Sequence, residues 1–502
     1  MSSIPKSAFE FVPPEGRMHD KKLETKPVGY FRDAMNRFSR NKSSVVASYI
    51  ILVLILYAIL VPIFCETTYS KSLTDTNYIN YAKLPPKMPF LGIDGTSRVT
   101  VNKNRYIMYR ALEEETGLPV IRDILREDYT DESSGNRKNT FYDLRIDNYA
   151  AMGMLSLSLN EQQFEAIQRW QDETGIQVIY PAIKDAKQSN PNIWYEADKK
   201  GQPKLNKKGE LVPIYRKTTP EDTLYHSLRI PADNDPAQPL AYARMTGTSS
   251  ARTLVVRVSK YSYFQYRYGF EPSFVFGTNA KGQDIFTRLA TGARFSFLLA
   301  ICISAINLFI GTVYGAIQGY YGGTVDLIMD RIADILNDVP FMVVTTLFQL
   351  HLANKVGVVP ALLFAFVLTG WIGMAARVRM QFYRFKNQEY VMAARTLGAR
   401  DARLMFRHIF PNSLGTIITG SVLVIPGVIF SESSLTYLGI INLESSTMTS
   451  VGTMLANGKD FLATDPYIIF FPALFISLLE VSFNLFGNGL RDAFNPSLRG
   501  AE

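Results

Sequence analysis

Cysteine is almost missing from this chain of 502 residues. The two present, Cys65 and Cys302, sit at or inside apolar runs, so no disulfide framework can staple the polar middle and no metal-ligand spacing exists. A phosphate-binding loop is missing too. Such a loop needs GxxxxGK[ST], whose backbone amides and lysine hold phosphates. The nearest approach, GTMLANGKD at 452–460, has one residue too many between its glycines and an aspartate where a hydroxyl would bind magnesium. The chain is therefore expected to hydrolyse no ATP and to be no enzyme. Internal repeats and low-complexity tracts are also absent. More than forty polar residues precede the first apolar run, near Ser44. That is too late, and the run is too long, for an ordinary cleaved signal peptide, which predicts a retained membrane helix.

What is there is segregated. Apolar residues are bunched and charges fill long gaps between the bunches. Length alone sets a soft prior of about three domains. The net charge of +8 is compatible with nucleic acid, but the excess lies beside the apolar runs, as in membrane proteins. A lipid bilayer is the expected partner, and nucleic acid is not.

In the N-terminal segment 1–43, Tyr30, Phe31, Ala34, Met35 and Phe38 recur at helical spacing between arginines. This predicts either an amphipathic helix on the membrane surface or a basic tail. Residues 45–64 form an uncharged apolar run of roughly 20 residues, enough to cross a bilayer, and define a first transmembrane helix at 44–65. Lys21, Lys22, Lys26, Arg32, Arg37, Arg40 and Lys42 precede it, which places the N-terminus in the cytoplasm.

Residues 66–285 hold no membrane-length run and must then lie outside the cell. They read as an α+β domain. MLSLSL (154–159), the helix 160–175 capped by Asn160, and IQVIY (176–180) read as strand, helix and strand. KKGQPKLNKKGEL (199–211) reads as turns or a hairpin. TLVVRVSKYSYFQYRYGF (253–270) reads as a strand followed by an aromatic cluster. That cluster suits a strand core with an interface belt, or a protein contact.

From 286 to 502 five further spans are expected, at 295–316, 332–352, 357–376, 414–434 and 464–486; the second of these is approached by an acidic interfacial entry over 326–340, on the cytoplasmic side, with its apolar body starting near Phe341. Six crossings return the C-terminus to the cytoplasm. The loop 377–412 then also lies there, and its many arginines agree with that side. The fold class is thus an all-α polytopic membrane protein carrying a large extracytoplasmic α+β insertion between its first two helices. In the fifth span, Gly415, Gly420, Pro426 and Gly427 permit close helix packing or a gating kink.

The loop holds the strongest pattern, EYVMAARTLGARDARLMFRHIFPN at 389–412. A helix over 389–397 carries Ala393, Ala394 and Leu397 on one side. Gly398 permits a sharp break. Asp401 can cap a second helix carrying Leu404, Met405 and Ile409, which Pro411 and Asn412 end. Glu389, Met392, Arg395 and Arg403 lie among them. Two small helices at an angle make a knob with a basic rim, built for a partner or merely exposed.

These segments resemble the C-type permease subunit of oligopeptide/dipeptide ABC importers. FGTNAKGQDIFTR (276–288), GYYGGTVDLIMDRIADILNDVPF (319–341), TGWIGMAARVRM (369–380), SESSLTYLGI (431–440) and FNLFGNGLRDAFNPSLRG (483–500) follow in that family's order, and NRFSRNKSS (36–44) also fits. The loop resembles the family's EAA loop, which docks into the ATPase. It departs from the pattern at its first position, which is Met392 rather than glutamate; Glu389 lies one turn earlier. The resemblance implies a type I importer permease fold in a bacterial plasma or inner membrane. It implies a second homologous permease, two ATPase subunits that carry the ATP and magnesium, a substrate-binding protein and a peptide substrate. This chain itself is expected to bind no cofactor.

Glu432, near the outer end of the fifth span and matching a family glutamate, Glu480, within the sixth, and Asn484, one turn further on, are expected either to line the translocation path or to bond across helices. A charged side chain at the bilayer centre costs about 2.5–3.5 kcal/mol on insertion scales, so such groups turn toward a cavity or a partner. The outer domain, a departure from the family, either docks the binding protein or covers the outer mouth. Two other classes stay open from the sequence: a membrane-anchored sensor with an outer ligand-binding domain, and a proton-coupled carrier using Glu432 and Glu480.

Overall fold

The computed structural model describes residues 30–69, 80–130, 140–182, 195–196, 204–209, 211–212, 214, 224–226, 241–248, 251–445 and 448–494. The basic residues Lys21, Lys22 and Lys26, much of the expected hairpin and the end of the last motif lie outside them.

The chain starts with α1 (Tyr30–Arg40) and α2 (Lys42–Tyr69). The uncharged run fills α2, because in hydrocarbon a helix satisfies every backbone group internally. The amphipathic reading of α1 holds, but its apolar face is not spread on a surface. Ala34 and Phe38 pack on Leu490 and Ala493 near the end of the last helix, and the Phe38 and Phe486 rings meet edge to face at 5.3 Å. The two ends of the membrane region therefore lie at one end of the bundle.

An antiparallel α+β region follows. Strands β1 (Lys87–Met88) and β2 (Ile93–Asp94) make a small ribbon. Strand β3 (Thr96–Asn102), helix α3 (Lys103–Thr116), and strands β4 (Ile121–Thr130) and β5 (Thr140–Asp147) make a three-stranded sheet in the order β3-β5-β4. Strand β6 (Met154–Leu159), helix α4 (Glu161–Thr174), and strands β7 (Ile179–Tyr180), β8 (Leu224–His226), β9 (Ala241–Thr248) and β10 (Ala251–Ser259) build a second sheet in the order β6-β10-β9-β8, with β7 also on β10. Asn160 caps α4 within a reciprocal box with Gln163. Leu205 and Leu211 bridge across a turn, as a hairpin requires. The aromatic run is neither strand nor loose cluster: it coils into α5 (Lys260–Tyr268), capped by Ser259. Phe264 is buried there against Tyr81, Tyr149 and Phe274, tying the sheets to the segment that leads into the helical bundle.

The membrane region consists of α6 (Ile285–Tyr321), α7 (Gly323–Asn337), α8 (Phe341–His351), α9 (Ala353–Val356), α10 (Val358–Gly370), α11 (Ile372–Phe385), α12 (Glu389–Thr396), α13 (Asp401–Arg403), α14 (Phe410–Val422), α15 (Val424–Tyr437), α16 (Val451–Gly458) and α17 (Tyr467–Phe494). Among the described residues five helical stretches are long and apolar enough to cross a membrane: Lys42–Cys65, Ile285–Tyr321, Val358–Phe385, Asp401–Tyr437 and Tyr467–Phe494. The span expected at 332–352 is not one helix. Pro340 stands between α7 and α8, lacks an N–H and precedes only 11 helical residues, or about 16 Å of rise. The fifth span bends where α14 gives way to α15. Pro426 has no N–H to offer the carbonyl of Val422, which accounts for the bend. Gly420 is instead a packing position, covered by the Arg377 side chain.

The tightest helix contact is between α6 and α11. Gly311, Gly315 and Gly319 form one stripe on α6, and a Cβ on any of them would strike α11 backbone: the carbonyl oxygens of Trp371 at 2.7 Å, of Ala375, and of Arg379 at 2.7 Å. Small residues at this spacing let helix backbones touch. Gly373, two residues into α11, has nothing within 4 Å of its would-be Cβ. Gly315→Leu is therefore expected to cost about 1–3 kcal/mol or more by overpacking. Gly373→Ala should be neutral or stabilising by up to about 1 kcal/mol. Thermal unfolding of the two purified variants in one detergent checks the contrast.

Candidate coupling loop and polar groups of the membrane region

The loop between α11 and α14 is a folded knob held from behind. Helix α12 buries Val391 alone. Gly398 has φ +83°, a left-handed conformation that lets the chain reverse without Cβ strain. Beyond α13 the chain widens into a π-helical turn over Leu404–Ile409, burying Leu404, Met405 and Ile409. These join Tyr320, Val378 and Phe382 in one core beneath the knob. The apolar face expected over Leu404, Met405 and Ile409 is thus the inward one. The side expected to carry Ala393, Ala394 and Leu397 is split: Ala394 packs against that core, while Ala393 and Leu397 face outward, Leu397 at 88% exposed and Met392 near them in sequence at 53%. Phe406 and Tyr390 are exposed as well.

Asp401 does not cap its helix. No side-chain cap is made there, and its Oδ1 instead accepts a hydrogen bond of 2.6 Å from the Tyr320 hydroxyl of α6. Arg395 Nη2 reaches the same hydroxyl oxygen at 3.4 Å. Lys386 Nζ donates to the carbonyls of Gly319 and Tyr320 at 2.9 and 3.4 Å, closing the end of α6. Cations at a helix C-terminus complement its dipole. Two turns back, Arg379 spans two carboxylates of α7, Asp326 at 2.6 Å and Asp330 at 2.9 Å. Those aspartates are one turn apart on one face, which suits a two-pronged guanidinium. The knob, α6, α7 and α11 are thereby joined. Tyr383 donates a further hydrogen bond to the Asp326 carboxylate.

Glu389, Arg403 and Pro411 lie on the exposed rim of the knob. Sequence reasoning missed Tyr320, Arg379 and the glycine stripe. The stripe was visible as GTVYGAIQG, two overlapping small-xxx-small steps at 311–319.

Glu432 and Glu480 occupy different settings. Glu432, on α15, is 1% exposed. Its carboxylate oxygens accept hydrogen bonds from Ser296 of α6 at 3.2 Å, Thr436 at 3.2 Å and Ser433 at 3.5 Å. Glu480 is half-buried on α17, and Asn484 is exposed one turn on, donating to the Glu480 carbonyl at 3.0 Å. Ser477 and Asn488 are exposed on the same helix. The positions 477, 480, 484 and 488 fall in one stripe of an otherwise apolar helix.

Comparison with known proteins fits these features. A family model described as the inner membrane component of binding-protein-dependent transport systems matches residues 311–500. A second, the N-terminal transmembrane domain of oligopeptide transport permease C, matches residues 29–86. The class is that of a transport-system membrane component. Within it, the chain belongs to the C-type oligopeptide/dipeptide transport permease family. It is 43% identical over 224 residues to the oligopeptide transport system permease protein OppC of Bacillus subtilis, covering 45% of this chain and 72% of that one. It is 39% identical over 225 residues to the dipeptide transport system permease protein DppC of the same organism, covering 45% and 69%. A chain of the inward-facing MetNI methionine ABC transporter superposes at a TM-score of 0.35, with 12% identity over 41% of this chain and 96% of that one, too slight a likeness to weigh. The chain is a multi-pass membrane permease.

Tyr320→Phe removes the hydroxyl shared by Asp401 and Arg395. Amide hydrogen exchange over 389–403 should then rise severalfold while the strands of the α+β region keep their protection.

Proposed function

We propose that this permease is one transmembrane subunit of an ATP-driven importer of short peptides. It pairs with a second, related permease, receives substrate from a binding protein outside, and rests on two ATPase subunits that hold ATP and magnesium. The chain itself supplies path and lever rather than chemistry. In this reading α7 and α8 together make a sixth, broken crossing. Both termini and the 377–412 loop then face the cytoplasm, and the α+β region faces outward. The meeting of α1 with the end of α17 supports that parity.

The observation that carries the proposal is the asymmetry of the knob. Its back is buried and hydrogen-bonded to α6; its front presents Leu397, Met392 and Phe406 to solvent. A clustered apolar surface on a rigid mount marks a protein contact. Gly398 shapes it, and Glu389, Arg395 and Arg403 supply its polar rim. Movement of the ATPases then reaches α6 and α11 through Tyr320–Asp401 and the glycine stripe, as a rigid-body switch. Leu397→Asp should abolish co-purification of the ATPase and uptake, with no change in the thermal midpoint, because the side chain touches nothing the fold needs. Uptake driven by a proton gradient without ATP contradicts the proposal.

For the intramembrane acids we propose different roles. Glu432 bonds across helices through its hydroxyl partners, so Glu432→Gln should transport like wild type and Glu432→Leu should destabilise. Glu480 and Asn484, on the uncovered stripe of α17, line the shared path. Glu480→Leu should leave stability intact and slow uptake severalfold, measured on purified transporter in vesicles.

A further inference from the structure

A cavity of about 560 Å³ opens at the end of the bundle where α6 and α17 begin and α15 ends, with α16 forming one wall. Its size is within the range of about 300–1,000 Å³ usual for small-ligand sites. Three cations line it, Lys281, Arg288 and Lys459, against two carboxylates, Glu444 and Asp460. One positive charge is therefore left over.

Of these cations Arg288 is the buried one. The residue is 4% exposed, in the second turn of α6, and lines the cavity. A buried guanidinium ordinarily has a close carboxylate, because desolvating it alone is costly. Here the nearest one in an ion pair, Glu444 Oε1, stands 4.0 Å away. Both oxygens of Glu444 are already engaged at shorter range, Oε1 by Lys281 at 2.9 Å and Oε2 by Asn457 at 3.0 Å. Asp284, one turn before Arg288, is occupied with the helix start: Oδ2 accepts from the Thr287 amide at 2.9 Å and the Thr287 hydroxyl at 2.8 Å, and Oδ1 from the Phe286 amide at 3.4 Å. Neither carboxylate is at hydrogen-bonding distance from the guanidinium. A planar fork of donors, desolvated and turned into a cavity, matches a ligand carboxylate.

We infer that this cavity is a carboxylate site in which Arg288 receives the C-terminal carboxylate of a short peptide. The inference rests on the peptide-import reading for the ligand and on Arg288 for the chemistry. Glu444 holds Lys281 away from the guanidinium and keeps Arg288 the better anion partner. Binding is an ion pair with no bond made or broken. The site provides selection at the permease itself, apart from whatever the binding protein selects.

The test uses the assembled transporter in lipid nanodiscs without its binding protein. Radiolabelled trialanine and trialanine amide are the probes, compared by equilibrium binding. Wild type should bind the acid at least tenfold more tightly than the amide. Arg288→Gln should bring the acid to the level of the amide and leave the amide unchanged, and Arg288→Lys should retain an intermediate preference. Lys281→Gln, at a largely solvent-exposed position, frees Glu444 to close on Arg288 and should also reduce the preference without unfolding the protein. Equal binding of acid and amide by wild type, or an undiminished preference in Arg288→Gln, overturns the inference. If the complete transporter with its binding protein takes up neither peptide while the Arg288-dependent preference persists, the peptide-import reading fails and the carboxylate site stands.

Discussion

The backbone contact between α6 and α11 is the constraint on which the membrane region depends. Three glycines one turn apart bring the helices close enough for carbonyl oxygens to occupy the space a methyl group would need. Within a bilayer this closeness replaces the hydrophobic driving force that packs helices in water. It also fixes geometry at both ends of α11. One end carries the Trp371 turn, and the other runs into the loop. Because Tyr320 stands in the last turn of α6, the helix that forms the pair also braces the knob.

Polar groups sort by the same logic. Glu432 lies where α6 and α15 meet, and several hydroxyls serve its carboxylate, so a costly group becomes an interhelical connection. Asp326 and Asp330 take Arg379 between them and join α7 to α11 beside the loop. Arg288 at the opposite end has no comparable close partner, and that contrast is what singles it out. Along α17 the stripe at 477–488 is uncovered, as expected of a surface that meets something other than lipid.

Much of this was legible in the sequence because it rests on local rules. Hydrophobic length marks α2, α6 and α17. Asn160 announces α4, and Gly398 announces the reversal in the loop. What was not legible depends on residues distant in the chain. Asp401 reads as a cap from its neighbours, yet Tyr320, 81 residues earlier, takes it. The stretch 253–270 reads as a strand followed by an aromatic cluster; the strand is there, but the cluster is a helix whose Phe264 is buried against Tyr81 and Phe274. The 332–352 run reads as one span by composition, yet Pro340 divides it, a case where a visible residue outweighs average hydropathy. The cavity at Arg288 draws on segments from 279 to 468 and has no local signature.

The central claim is that the loop and the end of α6 form one rigid unit. Electron–electron resonance distances between spin labels at Ala402 and Tyr321 measure it directly, with Cys65 and Cys302 replaced in the assembled transporter. The account predicts a single narrow distribution that is the same without nucleotide and with ATP trapped. A distribution that shifts or broadens when ATP binds would contradict it.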